Sequence, residues 1–177
     1  MQRQMVVTLS DCPARMVPSG DPVTIPKDQF VTLTQSLGGN YTLIWQGNMM
    51  RVDGVDAAAI GQQPLELKFE DAGDGLIAED LVWQAIATVY DPEIPVNLKE
   101  LGLIYGLEIQ QEQGLVRVSM TLTAPACGMG PVLVADVKSR VGRVPNVQRV
   151  EVELVFDPPW NRDMMSDEAQ LETGLFF

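Results

Sequence analysis

Cys127 lies in the stretch "MTLTAPACGMGPVLVADVKSRV", between a strand-like segment that ends near Leu122 and a helix-like segment that begins near Pro131. The chain has two cysteines, Cys12 and Cys127, and no histidine. That composition removes Ser-His-Asp and Cys-His catalysis and the HExxH zinc site. Two lone cysteines cannot close a zinc knuckle within one chain. Neither GxxxxGK[ST] nor GxGxxG occurs, so Gly128 and Gly130 beside Cys127 do not form a phosphate cradle. Thiol chemistry is what is left. A thiol just ahead of a helix faces unpaired N–H groups and the positive end of the dipole; both lower its pKa, and a thiolate there binds soft metal. The bland alternative is a small buried apolar residue, a common role for free cysteine. Cys12, in "SDCPA", is taken that way, as a core filler or a turn residue.

A second chemical feature is the acidic loop "DPEIP" at residues 91–95. If one strand starts near Ile104 and the next ends near Leu122, their hairpin is open at the end that carries both this loop and the Cys127 loop. Asp91 and Glu93 then stand near the thiol. Their alternative role is a solvated helix terminus or turn.

The elements that must position these residues follow from periodicity. Ile77, Leu81, Ala85 and Val89 recur at i+4 with Ile86 beside them, which predicts a helix with one apolar face. Glu79 and Asp80 suit its first turn, and Pro92 predicts its stop near Tyr90. "LIYGLEIQ" and "LVRVSMTL" form a hairpin over "QEQG", with Val116, Val118, Met120 and Leu122 on one face. "PVLVADVKSRV" is a helix with Leu133, Val137 and Val141 aligned and Pro131 at its first position. "VQRVEVELVF" is a strand with Val150, Val152, Leu154 and Phe156 inward and Arg149, Glu151 and Glu153 outward. The order α-β-β-α-β predicts a two-layer α/β sandwich, so the fold class is α+β.

Residues 1–63 are different: "MVVTL", "PVTIP", "FVTLTQ", "YTLIW" and "MMRVD" are short strands with turn punctuation, a small β-rich N-terminal domain. "QGN" predicts a three-residue bulged hairpin connection, and "GVDAAAIG" one or two helical turns. Residues 64–75 are the candidate linker, 76–160 the second domain, and 161–177 a tail that either frays or docks as a short amphipathic helix on a partner.

Apolar residues make up 46% and charged residues 20%, a balance that lets 177 residues fold. Lys+Arg 12 against Asp+Glu 24 gives a net charge of −12, which disfavours nucleic acid and anionic lipid as partners. The opening "MQRQMVVTLSDCPARM" lacks the apolar core of an export signal, and no run is long enough to span a membrane; the expected location is the cytoplasm.

Taken together, "VYDPEIPVNLKELGLIYGLEI", "VSMTLTAPACGMG" and "VQRVEVELVFDPPW" resemble the iron-sulfur cluster assembly domain family, on the branch of the SUF-system auxiliary proteins. The resemblance covers about 76–160, and "DC" with "LGGNYTL" resembles the extension of its longer members. It implies a non-enzymatic role in maturing iron-sulfur proteins, with SUF-system assembly proteins and client iron-sulfur proteins as partners. It maps the reactive cysteine onto Cys127, the acidic motif onto Asp91 and Glu93, and the loop threonine onto Thr123. Many relatives carry proline directly after that cysteine, where this chain has Gly128. An iron-sulfur cluster usually takes four protein thiolates or substitutes, so a cluster or iron held transiently at Cys127 is shared, and a homodimer would bring two such loops together. Two other classes fit the residues: an enzyme in which Asp91 or Glu93 activates a Cys127 nucleophile, and a structural adaptor with an inert thiol.

Overall fold

Buried side chains in the first third of the chain alternate at the strand period, and a sheet follows from that. The computed structural model describes residues 3–37, 40–65, 67–91, 96–123 and 130–173. The chain divides into two units, Met1–Leu67 and Lys68–Phe177.

The first unit is a six-stranded antiparallel sheet made of β1 (Gln4–Val7), β2 (Cys12–Met16), β3 (Pro22–Ile25), β4 (Phe30–Leu37), β5 (Asn40–Trp45) and β6 (Asn48–Val52). Its strand order is β1-β4-β5-β6-β2-β3. Val31, Leu33, Leu43, Met50, Val52, Cys12 and Ile25 form its core, closed by Ile60 from the 3-10 segment Gly54–Ile60. Asp53 starts that segment by accepting from the Val55 N–H at 3.1 Å. The β5–β6 connection differs from the expected bulged hairpin: Trp45 pairs with Asn48, leaving the two residues Gln46 and Gly47 at φ 52° and 77°. Two central residues at positive φ match the twist of the flanking strands, so the tight turn wins. Strand β2 has no counterpart among the sequence expectations, because Pro13 and Arg15 hide its alternation.

The second unit contains α1 (Glu79–Ile86), α2 (Leu98–Leu101), β7 (Ile104–Gln110), β8 (Leu115–Met120), α3 (Gly130–Val141), β9 (Arg149–Leu154) and α4 (Asp167–Thr173). β7 and β8 pair antiparallel, and β8 and β9 pair parallel with Val116 opposite Val150 and Val118 opposite Val152. A parallel pair needs a crossover, which α3 supplies. Val116, Val118, Met120, Leu133, Val137, Val141, Val82, Ala85 and Ile86 share the core between helices and sheet. Phe156, expected inward, is 43% exposed because β9 ends two residues earlier.

Helix α1 is shorter than its apolar stripe. It stops at Ile86, Thr88 turns back with its hydroxyl donating to the Ala85 carbonyl at 2.6 Å, and Tyr90 enters a bridge with Asn97. Its N-terminus has no side-chain cap; Gln111 anchors the segment just ahead of it by pairing with both the N–H and the carbonyl of Ile77, at 2.7 and 2.9 Å.

The segment after β9 corrects the picture of a frayed or partner-seeking tail over its described residues 161–173. Met165 and Ala169 are 4% and 1% exposed and belong to the core of this unit. Ser166 donates its N–H to the Glu100 carbonyl at 2.8 Å, Trp160 donates its indole N–H to the Leu101 carbonyl at 2.7 Å, and the Tyr105 hydroxyl bonds the Pro158 carbonyl at 2.8 Å. The C-terminal segment is thus a clasp over α2.

Candidate functional site

Of the residues singled out in the sequence, Asp91, Thr123 and Gly130 are described, while Glu93, Cys127 and Gly128 lie outside the described residues. Main-chain hydrogen bonds join the described flanks of the two segments. Asp91 donates its N–H to the Val96 carbonyl at 3.2 Å, and Leu98 donates back to Val89 at 2.9 Å, so residues 92–95 leave from a closed stem. Leu103 then donates to Leu98 at 3.2 Å, and Thr121 donates to Leu103 at 2.8 Å. This ladder runs from the stem that carries Asp91 through α2 to the strand end that carries Thr121 and Thr123. Asn97 caps α2 by accepting from the Glu100 N–H at 3.0 Å, and Gly102 ends it in the left-handed conformation at φ 74°. Asn97 and Gly102 are ordinary cap signals around "LKEL", a stretch to which the sequence reading assigned no element.

Asp91 is 3% exposed and Thr123 half-buried, so neither is a freely solvated turn residue. Gly130 opens α3 and is buried against the sheet: a Cβ there would stand 3.1 Å from Leu154 Cδ1 and 3.3 Å from Leu122 Cδ1. Its small size lets the first turn of α3 seat on the ends of β8 and β9. The positive end of a twelve-residue helix therefore sits directly after residues 124–129.

Behind this edge lies a charged pair of positions that the sequence reading missed. Asp136 and Arg140, one helical turn apart on α3, are both 0% exposed. The Arg140 guanidinium donates to the Thr88 carbonyl at 3.3 Å, fixing the segment that runs into Asp91. The signal was present as two charges beside the Leu133–Val137–Val141 stripe at 3- and 4-residue offsets.

Cys12 is the other thiol, and the structure places it in the core of the first unit at 0% exposure. Burial, with a smaller contribution from Asp56, pushes its pKa from an ordinary value of 9.0 up to about 11. Because the folded state favours the neutral thiol, its contribution to stability is fully present below pH 9 and is lost as the pH rises through about 11. Iodoacetamide at pH 8 should leave Cys12 unmodified in the folded chain and label it after denaturation, as read by peptide mass; labelling at equal rates in both states would contradict its burial. Among the described residues, no group of three or more Cys, Asp or Glu side chains stands ready to hold a metal.

On the outer face of the second sheet, Arg117 donates to Glu151 at 2.9 Å and lies 3.9 Å from Glu108, while Arg149 lies 3.1 Å from Glu151. These exposed pairs hold the Glu151 carboxyl below its usual range, and such surface pairs contribute little to stability.

The segment that carries Asp91 and the strand end that carries Thr123 are thus joined within a small α+β unit, and comparison with known proteins gives that unit a family. Residues 79–154 match the family described as iron-sulfur cluster assembly protein. The chain is 50% identical over 96 residues to the Fe-S protein maturation auxiliary factor of Porphyromonas gingivalis, covering 54% of this chain and 90% of that protein. It is 40% identical over 87 residues to the Fe-S protein maturation auxiliary factor SufT of Staphylococcus aureus, covering 49% of this chain and 98% of that one. Among solved structures, the domain of unknown function DUF59 from Bacillus anthracis aligns with a TM-score of 0.52 at 34% identity, over 55% of this chain and 92% of that chain. The chain belongs to the iron-sulfur cluster assembly protein family.

Proposed function

We propose that this chain is a non-enzymatic maturation factor for iron-sulfur proteins, with an iron-sulfur cluster or iron as its cargo. Family membership is the observation that carries this reading, through relatives named as Fe-S protein maturation auxiliary factors. Cys127 serves as a transient thiolate ligand at the N-terminal end of α3, with Asp91, Glu93, Thr123, Gly128 and Gly130 shaping the site. The joined stems of the two loops support this grouping, since both leave from one connected edge. The second unit is in this reading a two-layer α/β sandwich of α-β-β-α-β order. The partners are client iron-sulfur proteins and SUF-system assembly proteins, and the setting is the cytoplasm. Among the described residues no helix is long and apolar enough to cross a membrane, and the net charge of −12 opposes nucleic acid.

One thiol per site leaves a cluster short of ligands, so two chains share it. Anaerobic reconstitution with ferrous iron and sulfide, followed by absorption and analytical mass, tests this. The expected product is a coloured species of dimeric mass. A monomer that holds a stable cluster would sink the shared site, and a chain that takes up no iron would sink the cargo reading.

A further inference from the structure

Strand β1 forms one edge of the six-stranded sheet and β3 the other, and the two edges are built differently. β3 starts at Pro22 and is followed by Pro26 and Lys27, residue types that blunt an edge against further pairing. β1 reads Gln-Met-Val-Val, with no proline and no charge, and its register with β4 runs without a bulge from Gln4 opposite Leu33 to Val7 opposite Phe30.

Just past β1, Thr8 turns both main-chain groups toward the β4 side. Its N–H donates to the Gln29 carbonyl, and its carbonyl accepts from the Asp28 N–H, both at 2.9 Å. Strand alternation therefore points the N–H and carbonyl of Gln4 and Val6 the same way, and those of Met5 and Val7 out of the sheet. The side chains follow the same period. Val31 and Leu33, opposite Val6 and Gln4, belong to the core, so Met5, Val7 and Phe30 share the other face, at 68%, 37% and 69% exposure.

We propose that β1 pairs antiparallel with β1 of a second copy of this chain, joining two six-stranded sheets into one. Self-complementarity selects another copy as the occupant. With Val6 opposite the Val6 of the copy, Met5 faces Val7 and Val7 faces Met5, so the outward main-chain groups meet in two hydrogen-bonded pairs. Met5 and Val7 then continue one apolar stripe from the Phe30 of one chain to the Phe30 of the other. The same patch serves both copies, as two-fold symmetry requires. Charge favours this edge as well: copies of net charge −12 repel on average, whereas residues 4–9 and 30–37 carry no charge. A four-residue pairing covers less than the roughly 1,200–2,000 Å² of a standard interface, so the association is weak and concentration-dependent. It needs no iron and is separate from the shared site proposed above.

Analytical ultracentrifugation of the full-length, iron-free chain over a concentration series tests this. The wild type is expected to move from monomer toward dimer as concentration rises. Met5→Pro removes one outward N–H from each copy while sparing the pairing with β4, and should weaken association about thirtyfold, the equivalent of two ordinary hydrogen bonds. Met5→Lys keeps the backbone, places a charge in the apolar stripe and should weaken association too. In a Cys127→Ser background, Val6→Cys is expected to be cross-linked into a covalent dimer by diamide, and Phe30→Cys, two strands from its symmetry mate's edge, is not. A wild type that stays monomeric up to about 1 mM overturns the proposal and leaves the edge to a strand of another protein. A dimer that persists unweakened in both Met5 variants overturns β1 as the contact, and cross-linking of Phe30→Cys as fast as Val6→Cys overturns the register.

Discussion

Cys127→Ser is expected to abolish iron and sulfide retention by the purified chain while changing folding stability by no more than about 0.5 kcal/mol, the range of substitutions away from packed features. The first half follows from ligand supply. A serine hydroxyl at neutral pH is no substitute for a thiolate, and the other thiol cannot take over. Cys12 is fully buried in the core of the first unit, and its pKa, pushed up to about 11, leaves almost no thiolate at neutral pH. Cys12→Ser should accordingly leave retention intact, at a cost in stability from placing a hydroxyl in an apolar core. The second half follows from the proposed role of Cys127 as a ligand and not as packing. Iron content and thermal melting of both variants check the pair of outcomes. Full iron retention in Cys127→Ser would remove the thiol from the mechanism. A Cys127→Ser chain that loses cooperative melting would make Cys127 a core residue.

The second large effect is expected at Gly102. Substitution by alanine should cost about 2–4 kcal/mol, combining left-handed backbone strain with a steric clash in a packed region. Gly102 has φ 74°, and an added Cβ would collide with the main-chain oxygen of Met164. Alanine cannot move away without pulling α2 from the clasp, because Leu101 and Glu100 accept the Trp160 and Ser166 hydrogen bonds on either side of that contact. Release of the clasp also uncovers Met165 and Ala169 from the core. Urea unfolding should show the loss, and limited proteolysis should cut the C-terminal segment sooner than in wild type. Unchanged stability would mean that the clasp contributes nothing to holding α2. Because α2 links the Asp91 stem to Thr121, the same variant should weaken iron retention indirectly, in contrast to Cys127→Ser, which does so with the fold intact.

Much of the second unit was legible locally. The 3.6-residue recurrence around Ala85 and around Val137, and the two-residue alternation of Val116, Val118 and Met120, report which face of each segment meets the core, and that information needs no partner. The acidic Asp91 at the end of the segment after α1 and the threonines at the end of β8 were equally visible as residue types, and the joining of their backbones was not. Three features escaped. The four-residue α2 is too short to show a period. Among its described residues the C-terminal segment buries Met165 and Ala169, and it looks like a tail until they find the core. In α3, Asp136 and Arg140 look like solvated charges because sequence does not show that the facing surface is occupied.

What the sequence by itself determined is therefore the type and order of most segments and the missing chemistries that histidine would have supplied. What only the tertiary structure decided is which segments pair: β9 beside β8 in parallel, β1 beside β4, β2 between β6 and β3, and the clasp over α2. It also decided which polar groups are buried, leaving the Thr121 hydroxyl without a hydrogen-bond partner among the described residues and seating Arg140 on Thr88. The reason is physical: a side chain's periodicity is set by its own backbone geometry, whereas pairing and burial depend on surfaces tens of residues away in sequence, whose contributions exist only once the chain has closed on itself.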